Sequence, residues 1–277
     1  MNATPARPGF VAAAFESVRQ SLLRVVHRRL RYVVLAYVAL ALLAWFGGHA
    51  ALASGRTEGR QLFCVVAWWL LGTVLMPWSA LFVGIQVVHG PIEDRTFQYL
   101  FLRPVPRPAL LLGQWIAASI VAVVVSVTAA CLLFAVVAAR PGLWPDGLDW
   151  SLLRTFAMTL AVGSVAYCAV AAFLGAWFRR PLVVATIFVV GLQTLAANLD
   201  VSAGLRRLTI LDPLRRLVIA GVEPDPRLAQ ALWPAERDPR SELVGSPLLD
   251  LGVLTIVCLV FAAWIHARTE YDSRERE

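Results

Sequence analysis

The stretch GPIEDRTFQYLFLRPVPR, Gly90 to Arg107, packs charged and hydrogen-bonding side chains between two long apolar runs. Gly90-Pro91 breaks the preceding run, because proline cannot donate to a helix ladder. Glu93 and Asp94 then fall near the start of a helical turn, where negative charge suits the dipole. Phe97, Leu100 and Phe101 share one apolar face, which leaves Arg95, Thr96, Tyr99 and Arg103 to the polar side. Pro104 and Pro106 end the helix ahead of Arg107. The chemistry on offer is recognition by charge and hydrogen bonding. Glu93 and Asp94 are neighbours on a helix and point apart, so they do not form an acid–base pair. Two readings stand on the residues alone: a handle that a soluble partner grips, or a surface helix that touches only lipid headgroups.

Other chemistry is poorly supplied. His27, His49, His89 and His266 have no metal-ligand spacing and no HExxH occurs, so no metal site is expected. No GxSxG or Ser/His/Asp set marks a hydrolase. All 25 basic residues are arginine. Without lysine there is no Walker A phosphate loop and no Schiff base. Cys64, Cys131, Cys168 and Cys258 each lie inside an apolar run and read as small buried hydrophobes. The chain is expected to be no enzyme and to bind no cofactor.

The elements that position the charged stretch are membrane spans. Of 277 residues 59% are hydrophobic and 16% charged, against roughly half and a quarter in soluble domains. The apolar surplus lies in blocks, which makes an all-α polytopic membrane protein. Six spans are expected, near 32–53, 62–88, 109–139, 152–178, 182–199 and 247–267. Residues 1–31 form a tail and an amphipathic helix from about residue 10. There Phe15, Val18, Leu22, Val25 and Val26 recur at helical spacing, with Arg19, Arg24, Arg28 and Arg31 mostly elsewhere. Such a helix lies in the membrane interface, or it is simply a basic topogenic tail. The first span and its leader are too long for a cleaved signal peptide. Residues 32–267 make one six-span domain, with loops at 90–108 and 200–246, and 268–277 form a charged tail.

Six spans place both termini on one side. That side holds fourteen of the 25 arginines against seven acids, whereas the other balances eleven against eleven. The bias in short loops puts both termini in the cytoplasm. It also explains the net charge of +7 as basic edges meeting anionic lipid, with no call for nucleic acid.

Within the 200–246 insert, Asp212-Pro213 reads as a helix N-cap followed by proline at the first helical position, with Gly221 as the stop. Leu214, Leu217 and Val218 would form an apolar stripe on a short helix lying on or dipping into the outer leaflet. The remainder is either an ordered cap or a solvated loop. Inside the spans, ionisable residues are essentially missing; Asp250 and Arg154 stand near span ends. Gln86, Gln114, Thr128, Thr159, Tyr167, Gln193, Thr194 and Asn198 are left to bond between helices. Ion-driven transporters carry buried carboxylates or broken helices, so this chain is expected to hold no motor.

The run Ile92-Glu93-Asp94-Arg95-Thr96-Phe97-Gln98-Tyr99-Leu100, then Arg103-Pro104-Val105-Pro106-Arg107 and Leu110-Leu111-Leu112-Gly113-Gln114, resembles the loop between spans two and three of ABC type-2 permeases, the mostly exporting membrane subunits of ATP-binding-cassette transporters. That family has lysine where this chain has Gln114. The resemblance implies a cytoplasmic coupling helix seated on a separate ATPase subunit through Glu93, Asp94, Arg95, Thr96, Tyr99, Arg103 and Arg107. It implies an interfacial leader helix and an outer gate helix that includes Asp212, Pro213, Leu214 and Leu217. It further implies a dimer of half-transporters, formed by a second permease copy or a paralogue, with ATP and magnesium on the partner ATPases. The expected location is a bacterial inner membrane; the substrate is not named by the sequence. Two other classes compete. A non-transporting scaffold or sensor would dock some other soluble protein through 90–107, and an intramembrane enzyme would need a buried catalytic set that the chain does not show.

Overall fold

The computed structural model describes residues 15, 18–19, 59–93, 107–139, 144, 147–178, 180–193, 209–222 and 246–268. Every regular element among them is helical. The expected first span, the core of the 90–108 loop, much of the 200–246 insert and the tail from residue 269 lie outside the described residues. Of the leader, Phe15, Val18 and Arg19 are described, and all three are helical.

Four described helices are long and apolar enough to cross a bilayer: Gly59–Gln86, Pro108–Ala138, Trp150–Trp177 and Pro247–His266. They coincide with the second, third, fourth and sixth spans read from the sequence. The first of these four is built from α1 (Gly59–Val66), a π-helical stretch (Ala67–Leu75) and α2 (Met76–Glu93). In the π stretch the Met76 N–H bonds back five residues to the Leu71 carbonyl. Hydropathy has no mark for such a bulge, so the sequence reads as one continuous helix. The chain continues through α3 (Arg107–Ala138), α4 (Trp150–Trp177), and α5 (Pro181–Ile187) with a second π stretch at Phe188–Gln193. It closes with α6 (Leu211–Gly221) and α7 (Pro247–Arg268). The expected fifth span is described only as far as Gln193.

Helix α4 is the centre of the bundle. In its apolar window 67% of residues are buried, against 11% in α7, whose Val253, Ile256, Val260 and Phe261 face outward. In lipid the gain from association comes from close packing and not from escape from water, so small residues belong at the contacts. Helix α4 supplies Gly163, Ser164, Ala169, Ala171, Ala172, Gly175 and Ala176, all buried. Helix α2 comes so near that a Cβ on Gly84 would stand 2.5 Å from the Ala171 Cβ. The Ser126 and Ser164 hydroxyls bond at 3.0 Å between α3 and α4, and the Cys168 thiol donates to the Ala80 carbonyl at 3.6 Å.

The sequence reading is corrected in two places. Tyr167, expected to bond between helices, is fully buried and its hydroxyl meets no hydrogen-bond partner among the described residues. Cys131, expected to be buried, is exposed, whereas Cys64 and Cys168 are buried and Cys258 is half-buried. A span packed on one flank only leaves part of its apolar surface outside, and apolar composition does not say which part.

At the Trp150 end of the bundle, Phe63 meets Phe134 and Phe156 edge to face at 5.4 and 5.3 Å, and the Trp144 indole N–H donates to the Val137 carbonyl at 3.2 Å. Asp149 caps α4. Its carboxylate accepts from the Ser151 and Leu152 amides at 3.1 and 3.4 Å and from the Ser151 hydroxyl at 2.6 Å, with Arg60 at 3.8 Å. Partial burial pushes the Asp149 carboxyl up, but those bonds and Arg60 together outweigh it and hold it below its ordinary value of 3.8. A depressed carboxyl stabilises the fold above its unfolded value and loses that contribution as pH falls through the folded one. Asp149→Ala is therefore expected to cost about 1 kcal/mol at neutral pH. Thermal midpoints of wild type and variant should converge below the ordinary carboxylate range. A gap that persists unchanged in acid would remove the charge from this account.

Candidate functional site

Helix α6 is the one described element that is strongly amphipathic by sequence yet buried on nearly all sides. Leu211, Asp212, Pro213, Leu214, Arg215, Arg216 and Val218 are buried and Leu217 is half-buried. It packs against α4 and α7. The cap, expected at Asp212, lies two residues earlier, at Ile210. The helix begins at Leu211, and the first backbone bond runs from the Leu214 N–H to the Ile210 carbonyl at 3.3 Å. Asp212 and Pro213 therefore lie within the first turn, where the missing proline N–H costs nothing. Asp212 caps no amide; its carboxylate accepts from Arg216 Nη2, one turn on.

Contacts with α4 set the depth of this helix. Gly221 sits against Thr155, whose hydroxyl donates to the Gly221 carbonyl at 3.1 Å. Leu214 sits against Gly163, where an added Cβ would stand 2.9 Å from the Leu214 Cδ1 and 2.6 Å from the Met76 Sδ. Helix α6 thus runs antiparallel to α4, with its N-terminal turn at the deeper end. At 1.5 Å per residue Gly163 lies about 20 Å along α4 from Trp150, close to half its length. The helix is inserted into the bundle and does not lie on its surface.

That depth corrects the expectation of an interior without ionisable residues. Asp212, Arg215 and Arg216 are 3%, 3% and 5% exposed. They come in on the insert, so a survey of the spans alone passes over them. The Arg215 guanidinium lies over the Trp68 ring, 5.5 Å from its centroid. Trp68 belongs to the π stretch of the Gly59–Gln86 crossing. With Gly72, Met76, Thr159, Leu214 and Val218 it lines an apolar cavity of about 10 Å³, roughly the room of one water. The sequence did hold a signal for the ion pair, since Asp212 and Arg216 stand four residues apart on a helix.

The residues singled out around the charged loop fall at helix ends. Helix α2 runs on through Gly90-Pro91, expected to break it, so Glu93, expected near the start of a helical turn, is its last residue; Arg107 is the first of α3, and α2 and α3 pack against each other. Residues 94–106 thus join two adjacent helices at one end of the bundle. Asp94, Arg95, Thr96, Tyr99 and Arg103 lie outside the described residues. Gln114, where the resembled pattern has lysine, is buried two turns into α3. No group of three or more His, Cys, Asp or Glu side chains that could hold a metal occurs among the described residues.

A family model described as "ABC-2 family transporter protein" matches residues 6–199, more than half of the chain. The match ends before α6 and α7. No curated protein matches the chain.

Proposed function

Because the chain belongs to the ABC-2 family of transporter proteins, whose members work with an ATP-binding partner, we propose that it is the permease subunit of an ATP-binding-cassette exporter. Four apolar crossings make it an integral membrane protein. In this reading it has six spans, both termini face the cytoplasm of a bacterial cell, and two half-transporters pair in the inner membrane. Hydrolysis of ATP, with its magnesium, belongs to the partner, since this chain has no lysine for a Walker A loop. The chain itself catalyses no reaction.

The observation that carries the reading is the link between α2 and α3. Two packed crossings end at Glu93 and restart at Arg107, and the charged run falls between them. A soluble motor that tilts this link moves two spans together, and α4, packed on both, moves with them. Glu93, Asp94, Arg95, Thr96, Tyr99, Arg103 and Arg107 form the docking surface. At the opposite end α6, with Asp212, Pro213, Leu214 and Leu217, plugs the bundle and serves as the gate. Affinity purification of the full chain from its native membrane is expected to bring down an ATPase with its own Walker A motif. Recovery of a different soluble protein with no nucleotide hydrolase would replace the permease reading with that of a docking scaffold.

A further inference from the structure

We propose that α6 holds an anion site inside the bundle, in which Arg216 takes a phosphate group, free in solution or carried by a lipid of net negative charge. Arg216 is 5% exposed, and one of its nitrogens, Nη2, donates to Asp212. Its Nε and Nη1 are buried and meet no acceptor among the described residues. An arginine keeps its charge and offers five donors in a planar fork. Leaving such donors unmet away from water forfeits their full hydration, and an ionised oxygen answers them with short, strong bonds. The seat of Leu214 against Gly163 puts this helix close to half-way along α4. Ionisable groups at such depth mark binding or conduction sites more often than structural ones.

The site goes beyond the permease reading and is measured on the chain alone, with no ATPase present, so that failure of one leaves the other standing. The full-length protein, purified in a neutral detergent, is titrated with phosphatidylglycerol, with zwitterionic phosphatidylcholine, and with inorganic phosphate, and half-saturation is read from thermal stabilisation. Phosphatidylglycerol is expected to saturate and phosphatidylcholine not. Asp212→Asn frees Nη2 and removes a competing carboxylate, so half-saturation should fall several-fold. Asp212→Asn/Arg216→Gln replaces the ion pair with neutral amides of similar shape, and half-saturation should rise about tenfold or more. Saturation by inorganic phosphate as well assigns a free anion; saturation by phosphatidylglycerol alone assigns a lipid headgroup. A double variant that binds like wild type, weaker binding by Asp212→Asn, or equal stabilisation by phosphatidylcholine would overturn the site.

Discussion

Asp212→Ala is expected to destabilise the folded chain by about 3–5 kcal/mol, because it strands the Arg216 guanidinium in the bundle interior. The carboxylate and guanidinium are both almost fully buried and bond directly across one helical turn. Removing one partner leaves the other's desolvation cost uncompensated, whereas removing both leaves only apolar volume to refill. Asp212→Leu/Arg216→Met should accordingly recover most of the loss. Thermal unfolding in detergent, followed by tryptophan fluorescence, separates the cases. If the double variant is as unstable as the sum of the two single ones, the pair is not the unit described.

Reversing the charges at Glu93 and Arg103 together, as Glu93→Arg/Arg103→Glu, is expected to separate ATP hydrolysis from movement of the gate while leaving membrane insertion intact. On the permease reading both residues face the ATPase, and reversal places like charge against like. Losing such contacts costs about 2 kcal/mol or more, roughly thirtyfold in association. Movement can be read without knowing the substrate, by the ATP-dependent change in the labelling rate of Leu217→Cys in a variant lacking the four native cysteines. Wild-type coupling in the reversed variant would remove Glu93 and Arg103 from the docking surface.

The elements most legible in the sequence were those that long apolar runs dictate. The crossings around Phe63, Ala117, Leu160 and Val257 were placed within a few residues, since hydropathy over a bilayer's thickness leaves little choice. The family signature lay in the polar run that ends at Arg103-Pro104, but the expected break at Gly90-Pro91 does not occur, because α2 continues through both residues to Glu93. The depth of α6 was not legible. Its composition, LDPLRRLVIAG, is that of a helix at a polar surface, and only contacts such as Leu214 with Gly163 and Thr155 with Gly221 reveal that it is inserted. Local pattern reports which face of a helix is apolar, not how many neighbours surround it. The π stretch at Ala67–Leu75 was hidden for a similar reason, because a bulge changes hydrogen bonding without changing hydrophobicity. The Ser126–Ser164 bond was also missed, as serines read as neutral filler until two helices bring them face to face.

The central claim is that an external ATPase drives this chain through the link between α2 and α3. Its most direct test is the cross-linking partner of a single cysteine at Thr96, in a variant lacking the four native cysteines, measured in sealed native vesicles. The account predicts a bismaleimide adduct with a nucleotide-binding subunit, together with protection from a membrane-impermeant maleimide added on the periplasmic side. Free labelling from that side, with no adduct formed, would contradict it.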